Sequence, residues 1–88
     1  MSPLPPAQTP LNQHSLRALE TWLADLGAVR SDQDACLWQW SQPLWSAQIR
    51  LDQEDLQVIW LQDGATSQRS FPYGLSRLDI EAAMRAGP

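Results

Sequence analysis

Apolar residues recur every three or four positions from Leu16 to Leu26, alternate from Cys36 to Leu61, and return to helical spacing after Ser76. The first stretch, "HSLRALETWLADLG", predicts a helix whose stripe is Leu16, Leu19, Trp22, Leu23 and Leu26. Ser15 or Asn12 serves as its N-cap, and Gly27 stands where a left-handed C-terminal cap is wanted. Three alternating runs follow as strands. "ACLWQWS" places Cys36, Trp38 and Trp40 on one face, with Leu37 and Gln39 on the other. "WSAQIRLD" places Trp45, Ala47, Ile49 and Leu51 against Ser46, Gln48, Arg50 and Asp52, and "LQVIWLQ" places Leu56, Val58 and Trp60 against Gln57, Ile59 and Leu61. "SQPL" and "DQED" are the turns between them, whereas "VRSDQD" and "DGATSQ" read as a polar connection and a flexible loop. The last run predicts a second helix. Ser76 caps it, Asp79 favours its dipole, and Leu78, Ile80, Ala82 and Ala83 face the sheet.

The registers support one another. Trp40 opposite Trp45 puts Trp38 opposite Ala47 and Cys36 opposite Ile49. Leu51 opposite Leu56 puts Ile49 opposite Val58 and Ala47 opposite Trp60. Every apolar row then lies on one face, as a sheet buried on one side demands. The expected fold is α+β in the order α-β-β-β-α, a three-stranded antiparallel sheet with two helices packed on one face. The other face stays open. It carries Leu37–Gln48–Ile59 as one row and Gln39–Ser46–Leu61 as the next, so Leu37, Gln48, Ile59 and Leu61 form a mild apolar contact patch.

Composition bounds the rest. Eighty-eight residues with seven prolines, four of them in the first ten, give a disordered Pro-rich tail over residues 1–11 and a single domain over 12–88. Pro3 and Pro6 make a formal PxxP. A net charge of −4, with all six basic residues arginine, argues against a general nucleic-acid binder and against an anionic membrane surface. No apolar run approaches the ~20 residues of a membrane span, and no secretory leader pattern opens the chain. The single cysteine, Cys36, has no internal disulfide partner, which places the chain in a reducing cytoplasm.

Chemistry-bearing residues are few. One histidine, His14, and one cysteine in separate segments form no zinc constellation, and no cofactor or metal is expected. His14 reads as a helix-entry side chain bonded to backbone rather than a base, and Cys36 as a small core residue. Asp52, Glu54 and Asp55 form a solvated turn. The stretch "RSFPYGLSR" is richer. Arg69 and Arg77 flank Phe71 and Tyr73, and Arg85 extends the same side. Two readings stand: a structural one, with Arg77 paired to Glu81 or arginine stacked on Tyr73, and a partner-binding one, since arginine and tyrosine are favoured in interface hot spots.

"GLSRLDIEAA" and the α-β-β-β-α order are similar to the double-stranded-RNA-binding domain, matching at Gly74, Ser76, Arg77 and the alanines. That resemblance implies contact of the last helix with phosphates, yet Asp79 and Glu81 stand where that family carries basic residues. "TPLNQHSLRALETWLADLG" (residues 9–27) and "RSFPYGLSRLDIEAAMRAGP" (residues 69–88) resemble a family of small cyanobacterial proteins known only as a domain of unknown function. It implies a cytosolic cyanobacterial protein and no activity. The expected function is a non-enzymatic interaction module, an adaptor or assembly factor. It would bind a protein partner through the Arg/aromatic segment and the open sheet face, as a monomer or weak homodimer, with RNA or ribosome association as the alternative.

Overall fold

The computed structural model describes residues 5–88. Pro3 of the PxxP match lies outside them. A short 3-10 helix (Leu11–Gln13) leads into α1 (Leu16–Asp25). Five strands follow: β1 (Val29–Arg30), β2 (Leu37–Ser41), β3 (Ser46–Leu51), β4 (Asp55–Gln62) and β5 (Ala65–Pro72). The chain ends in α2 (Arg77–Ala86). The strands form one antiparallel sheet in sequential order, β1-β2-β3-β4-β5.

The α+β class and the two helices match the sequence reading, but the sheet has five strands and not three. The residues read as a flexible loop, 63–68, contain a hairpin turn. Asp63 and Gly64 both have positive φ (52° and 81°), the type I′ geometry that an Asp-Gly pair adopts at least cost. Ala65 to Pro72 then pairs residue for residue with β4. This strand escapes periodicity because both its faces are polar and Phe71 is its one buried residue. β1 escapes because it is two residues long; it pairs Val29 with Gln39 and Arg30 with Trp38. The added strands also remove the shared order with the double-stranded-RNA-binding domain.

The β3–β4 register is the expected one, with Leu51 opposite Leu56, Ile49 opposite Val58 and Ala47 opposite Trp60. The β2–β3 register is displaced by two residues: Trp38 faces Ile49 and Trp40 faces Ala47. A shift of two preserves the facing of every side chain, so the apolar face survives the correction. The cause is a turn moved one residue along the chain: residues 42–45 stand between Ser41 and Ser46, where 41–44 were expected between Trp40 and Trp45. Trp45 leaves the ladder, its carbonyl accepts from the Gln42 N–H (2.8 Å), and its ring stands edge-on against Trp40 with centroids 5.1 Å apart. Cys36, expected on the buried face, is exposed ahead of β2.

Both helices cover the inner face. The core joins Leu19, Trp22 and Leu23 of α1 and Ile80 and Met84 of α2 to Trp38, Trp40, Ile49, Leu56, Val58 and Trp60. Three indole N–H groups are tied to the helical layer. Trp22 donates to Glu81 Oε1 (2.8 Å), Trp40 to the Leu26 carbonyl (3.0 Å) and Trp60 to the Met84 carbonyl (3.4 Å). These bonds let large rings be buried without leaving their polar atoms stranded. Ser15 and Ser76 cap the helices through their hydroxyls, each accepting at 3.1 Å from a backbone N–H three residues on. The helix stripes are narrower than expected. Leu16 is 64% exposed and Leu78 50%, and Met84, not Ala82, faces the core.

Residues 5–11, read as part of a tail, lie against the start of α2. The Arg77 N–H donates to the Thr9 carbonyl (3.1 Å) and the Leu78 N–H to the Ala7 carbonyl (2.8 Å), while the Leu11 N–H donates to Leu75 (3.1 Å). Ser76 takes the Asp79 N–H, so the first turn of α2 has its otherwise orphaned donors satisfied. Leu11 itself is 1% exposed. The proline-rich composition excludes helix and central strand, but not an extended segment bonded to a helix end.

Candidate functional site

The Arg/aromatic segment is taken up largely by the fold. Phe71, at the end of β5, is 2% exposed and presents no area to a partner. The Arg69 guanidinium lies over its ring, 4.8 Å from the centroid, on the helix side of β5. Arg77 is half-buried and its guanidinium donates to the Pro5 carbonyl (2.9 Å), fastening the N-terminal segment rather than pairing with Glu81. Glu81 pairs instead with Arg85 (3.2 Å) one turn on and accepts from Trp22. Tyr73 stacks on no arginine; its hydroxyl donates to the Asp52 carbonyl and ties the β5–α2 connection to the β3–β4 turn. Of the five residues, Arg69 and Arg85 are exposed.

Tyr73 gives this end of the molecule a titration signature. Burial, and then the neighbouring Asp55 and Asp52, push its phenol up to about 12. The unfolded phenol ionises near 10, so this contribution to stability is complete below pH 10 and is lost as pH rises towards 12. Tyr73 is the sole tyrosine and the chain has no lysine, so the phenolate absorbance isolates it. Tyr73→Phe is therefore expected to flatten the decline of stability between pH 10 and 12, read by urea denaturation across that range.

The histidine and cysteine are not brought together. His14 Nδ1 donates to the Pro10 carbonyl (3.0 Å), the backbone role expected of it. Nε2 is buried without a hydrogen-bond partner among the described residues. Leu11, Leu16, Leu19, Leu51 and Tyr73 line a cleft of about 250 Å³ beside it. Asp34 accepts from the Cys36 backbone N–H (2.9 Å) and pairs with Arg50 (3.0 Å), and these hold its carboxyl below its usual range. Among the described residues, no group of three or more His, Cys, Asp or Glu side chains is placed to hold a metal ion, and no helix is long and apolar enough to cross a membrane.

The uncovered face of the sheet is the larger surface. Alternation puts Leu37, Gln39 and Ser41 of β2 outward, with Ser46, Gln48 and Arg50 of β3. It does the same for Gln57, Ile59 and Leu61 of β4, and for Thr66, Gln68 and Ser70 of β5. The rows differ from those expected, because the displaced β2–β3 turn slides β2 against β3 by two residues. Gln39, Gln48, Ile59 and Gln68 now form one row, and Leu37 sits beside Arg50, apart from Ile59. A shallow depression of about 330 Å³ lies at its centre, between Gln39, Ser41, Ser46, Gln48, Ile59, Leu61 and Thr66. Leu61 is 48% exposed there. Thr66, Gln68 and Ser70 are the site residues that sequence reasoning missed. The Asp-Gly turn was the signal for them.

A protein-family model described as "Protein of unknown function (DUF3143)" matches residues 26–87, the whole sheet and α2. The chain belongs to that family. No curated protein and no solved structure matches it.

Proposed function

We propose that this member of the DUF3143 family is a non-enzymatic interaction module, an adaptor or assembly factor, that seats a protein partner on the open face of its sheet. The observation that carries this reading is the charge distribution. The chain has sixteen acidic and basic residues by composition, ten Asp and Glu with six Arg, yet Arg50 and Asp55 are the ionisable side chains on the outward face, and Arg50 is already paired with Asp34. Charge depletion around an aliphatic centre is what the core of a protein interface shows. Neutral amides and hydroxyls surround Ile59 and Leu61, and they supply hydrogen bonds without the desolvation cost of an ion. An RNA partner has less support, since phosphate binding needs unpaired cations and, among the described residues, the one cation on this face, Arg50, is paired with Asp34. Arg69 and Arg85 lie on the helix side and would not reach a ligand seated on the outer face. The resemblance of the two terminal blocks to cyanobacterial proteins, together with the lone cysteine, supports a cytoplasmic setting in such a cell.

Affinity recovery from the native extract tests this reading, with and without nuclease. Leu61→Arg is expected to abolish recovery of a nuclease-resistant protein while stability stays within about 0.5 kcal/mol, as for an exposed site. Arg69→Ala is expected to retain it. Equal recovery by wild type and Leu61→Arg, or recovery abolished by nuclease, would overturn the proposal.

A further inference from the structure

We propose that β5 is a homodimerisation edge, where two copies of this chain pair antiparallel about Gln68 and join their sheets into one. This is independent of what the outer face binds.

The two edges of the sheet differ. β1 is two residues long, whereas β5 runs eight residues in unbroken register, with no bulge, no lysine, and a proline only at its last position. Short strands, bulges, internal proline and charged side chains are the devices that keep edges from pairing, and of these β5 carries only Arg69, whose guanidinium lies back over the Phe71 ring. Among the described residues no strand lies beyond it, and apart from the Pro72 carbonyl at its end, which accepts from the Leu75 N–H (3.1 Å), no loop or turn backbone group bonds to its outer side. The helical layer also stops short of it: Ala65, Ser67 and Arg69 point to the helix side and are exposed, although their neighbours Trp60 and Val58 are buried.

Hydrogen-bond phase fixes which groups are free. In a two-residue hairpin the flanking pair, here Gln62 and Ala65, exchanges both backbone bonds. Residues 65, 67, 69 and 71 therefore bond to β4, and Thr66, Gln68 and Ser70 turn their N–H and C=O groups outward. A two-fold axis normal to the sheet requires paired residues to share a face, so it must pass through a residue opposite its own copy. Centring on Arg69 would set like charges directly opposite in the closer, non-hydrogen-bonded type of pair, and would match Thr66 with Pro72, which lacks a donor. Centring on Gln68 sets Thr66 opposite Ser70 and Ser67 opposite Arg69, gives Gln68 a side-chain amide partner in its own copy, and forms about six inter-chain backbone bonds. A second copy thus meets β5 with no like charges opposed.

Sedimentation of the full chain over a wide concentration range tests this, alongside Gln68→Pro, Leu61→Arg, and Gln68→Cys in a Cys36→Ser background. Wild type is expected to show a concentration-dependent dimer. Gln68→Pro removes an outward donor that the intra-chain ladder does not use, and should weaken the dimer at least about tenfold with the circular dichroism unchanged. Gln68→Cys should form a disulfide-linked dimer on mild oxidation, because hydrogen-bonded cross-strand Cα atoms lie about 5.5 Å apart, within disulfide reach. A wild-type monomer at every concentration, with no cross-link formed by the Gln68→Cys chain, would overturn the proposal. So would a dimer lost in Leu61→Arg but kept in folded Gln68→Pro, which assigns self-association to the sheet face. If Gln68→Pro fails to fold, the oxidised Gln68→Cys chain decides between these outcomes.

Discussion

Trp60→Ala is expected to destabilise the protein by about 3–5 kcal/mol, the cost of removing a large ring from a core that cannot collapse around the void. Trp60 is 1% exposed on β4, opposite Ala47 on one side and Ser67 on the other, and its N–H donates to the Met84 carbonyl of α2. Small residues on both flanking strands mean that no neighbour on the sheet is large enough to fill its place. Against the ~5–15 kcal/mol total of an ordinary domain, such a loss leaves a large unfolded fraction. Trp60→Phe separates packing from bonding. It keeps most of the ring and forfeits the indole bond, so about 1 kcal/mol is expected from the bond itself, with a smaller packing term added. Urea denaturation followed by far-ultraviolet circular dichroism reads both variants. If alanine and phenylalanine cost the same, the ring is not the keystone of this sheet.

Leu11→Ala is expected to cost about 2–4 kcal/mol, and Leu16→Ala less than about 0.5 kcal/mol. The pair inverts what the residue pattern suggests. Leu16 opens the helical stripe of α1, yet it is 64% exposed; Leu11 belongs to the proline-rich lead-in, yet it is 1% exposed. Leu11 is held where the N-terminal segment bonds to Leu75 and supplies carbonyls to the first turn of α2, with Arg77 reaching back to Pro5. Losing its side chain should loosen that segment as well as leave a cavity, so amide exchange at Arg77 and Leu78 should accelerate in Leu11→Ala but not in Leu16→Ala. Equal denaturation midpoints for the two variants would mean that residues 5–11 contribute nothing to the fold.

The candidate surfaces were legible to different degrees. Ile59 and Leu61 could be placed on the open face from alternation alone, because β3 and β4 alternate cleanly and their turn is tight. The row that contains them could not, because the four-residue β2–β3 turn starts one residue later than expected, and sequence does not reveal which four residues turn when a tryptophan suits either place. The RSFPYGLSR segment looked like a surface patch because cations and rings are adjacent in sequence. In the fold, Phe71 points into the core, and Arg77 turns to the backbone of a segment more than sixty residues away in the chain.

Sequence by itself determined α1, the Ser76 cap, the second hairpin's register and the identity of the apolar sheet face, and narrowed the α1 cap to Ser15 or Asn12. Each is a local matter: a period of 3.6 or 2, a hydroxyl three residues before an N–H, a facing that survives any even shift of register. Only the tertiary structure decided that β5 is a strand, that Leu11 of the lead-in joins the core, and that Phe71 and Arg77 are turned inward to the core and to the N-terminal backbone. Those outcomes rest on backbone groups finding distant partners. A polar strand and an extended proline-rich segment bury little of their own side chains, so no pattern of hydrophobic positions announces them. Their stabilisation comes from hydrogen bonds to β4 and to the first turn of α2.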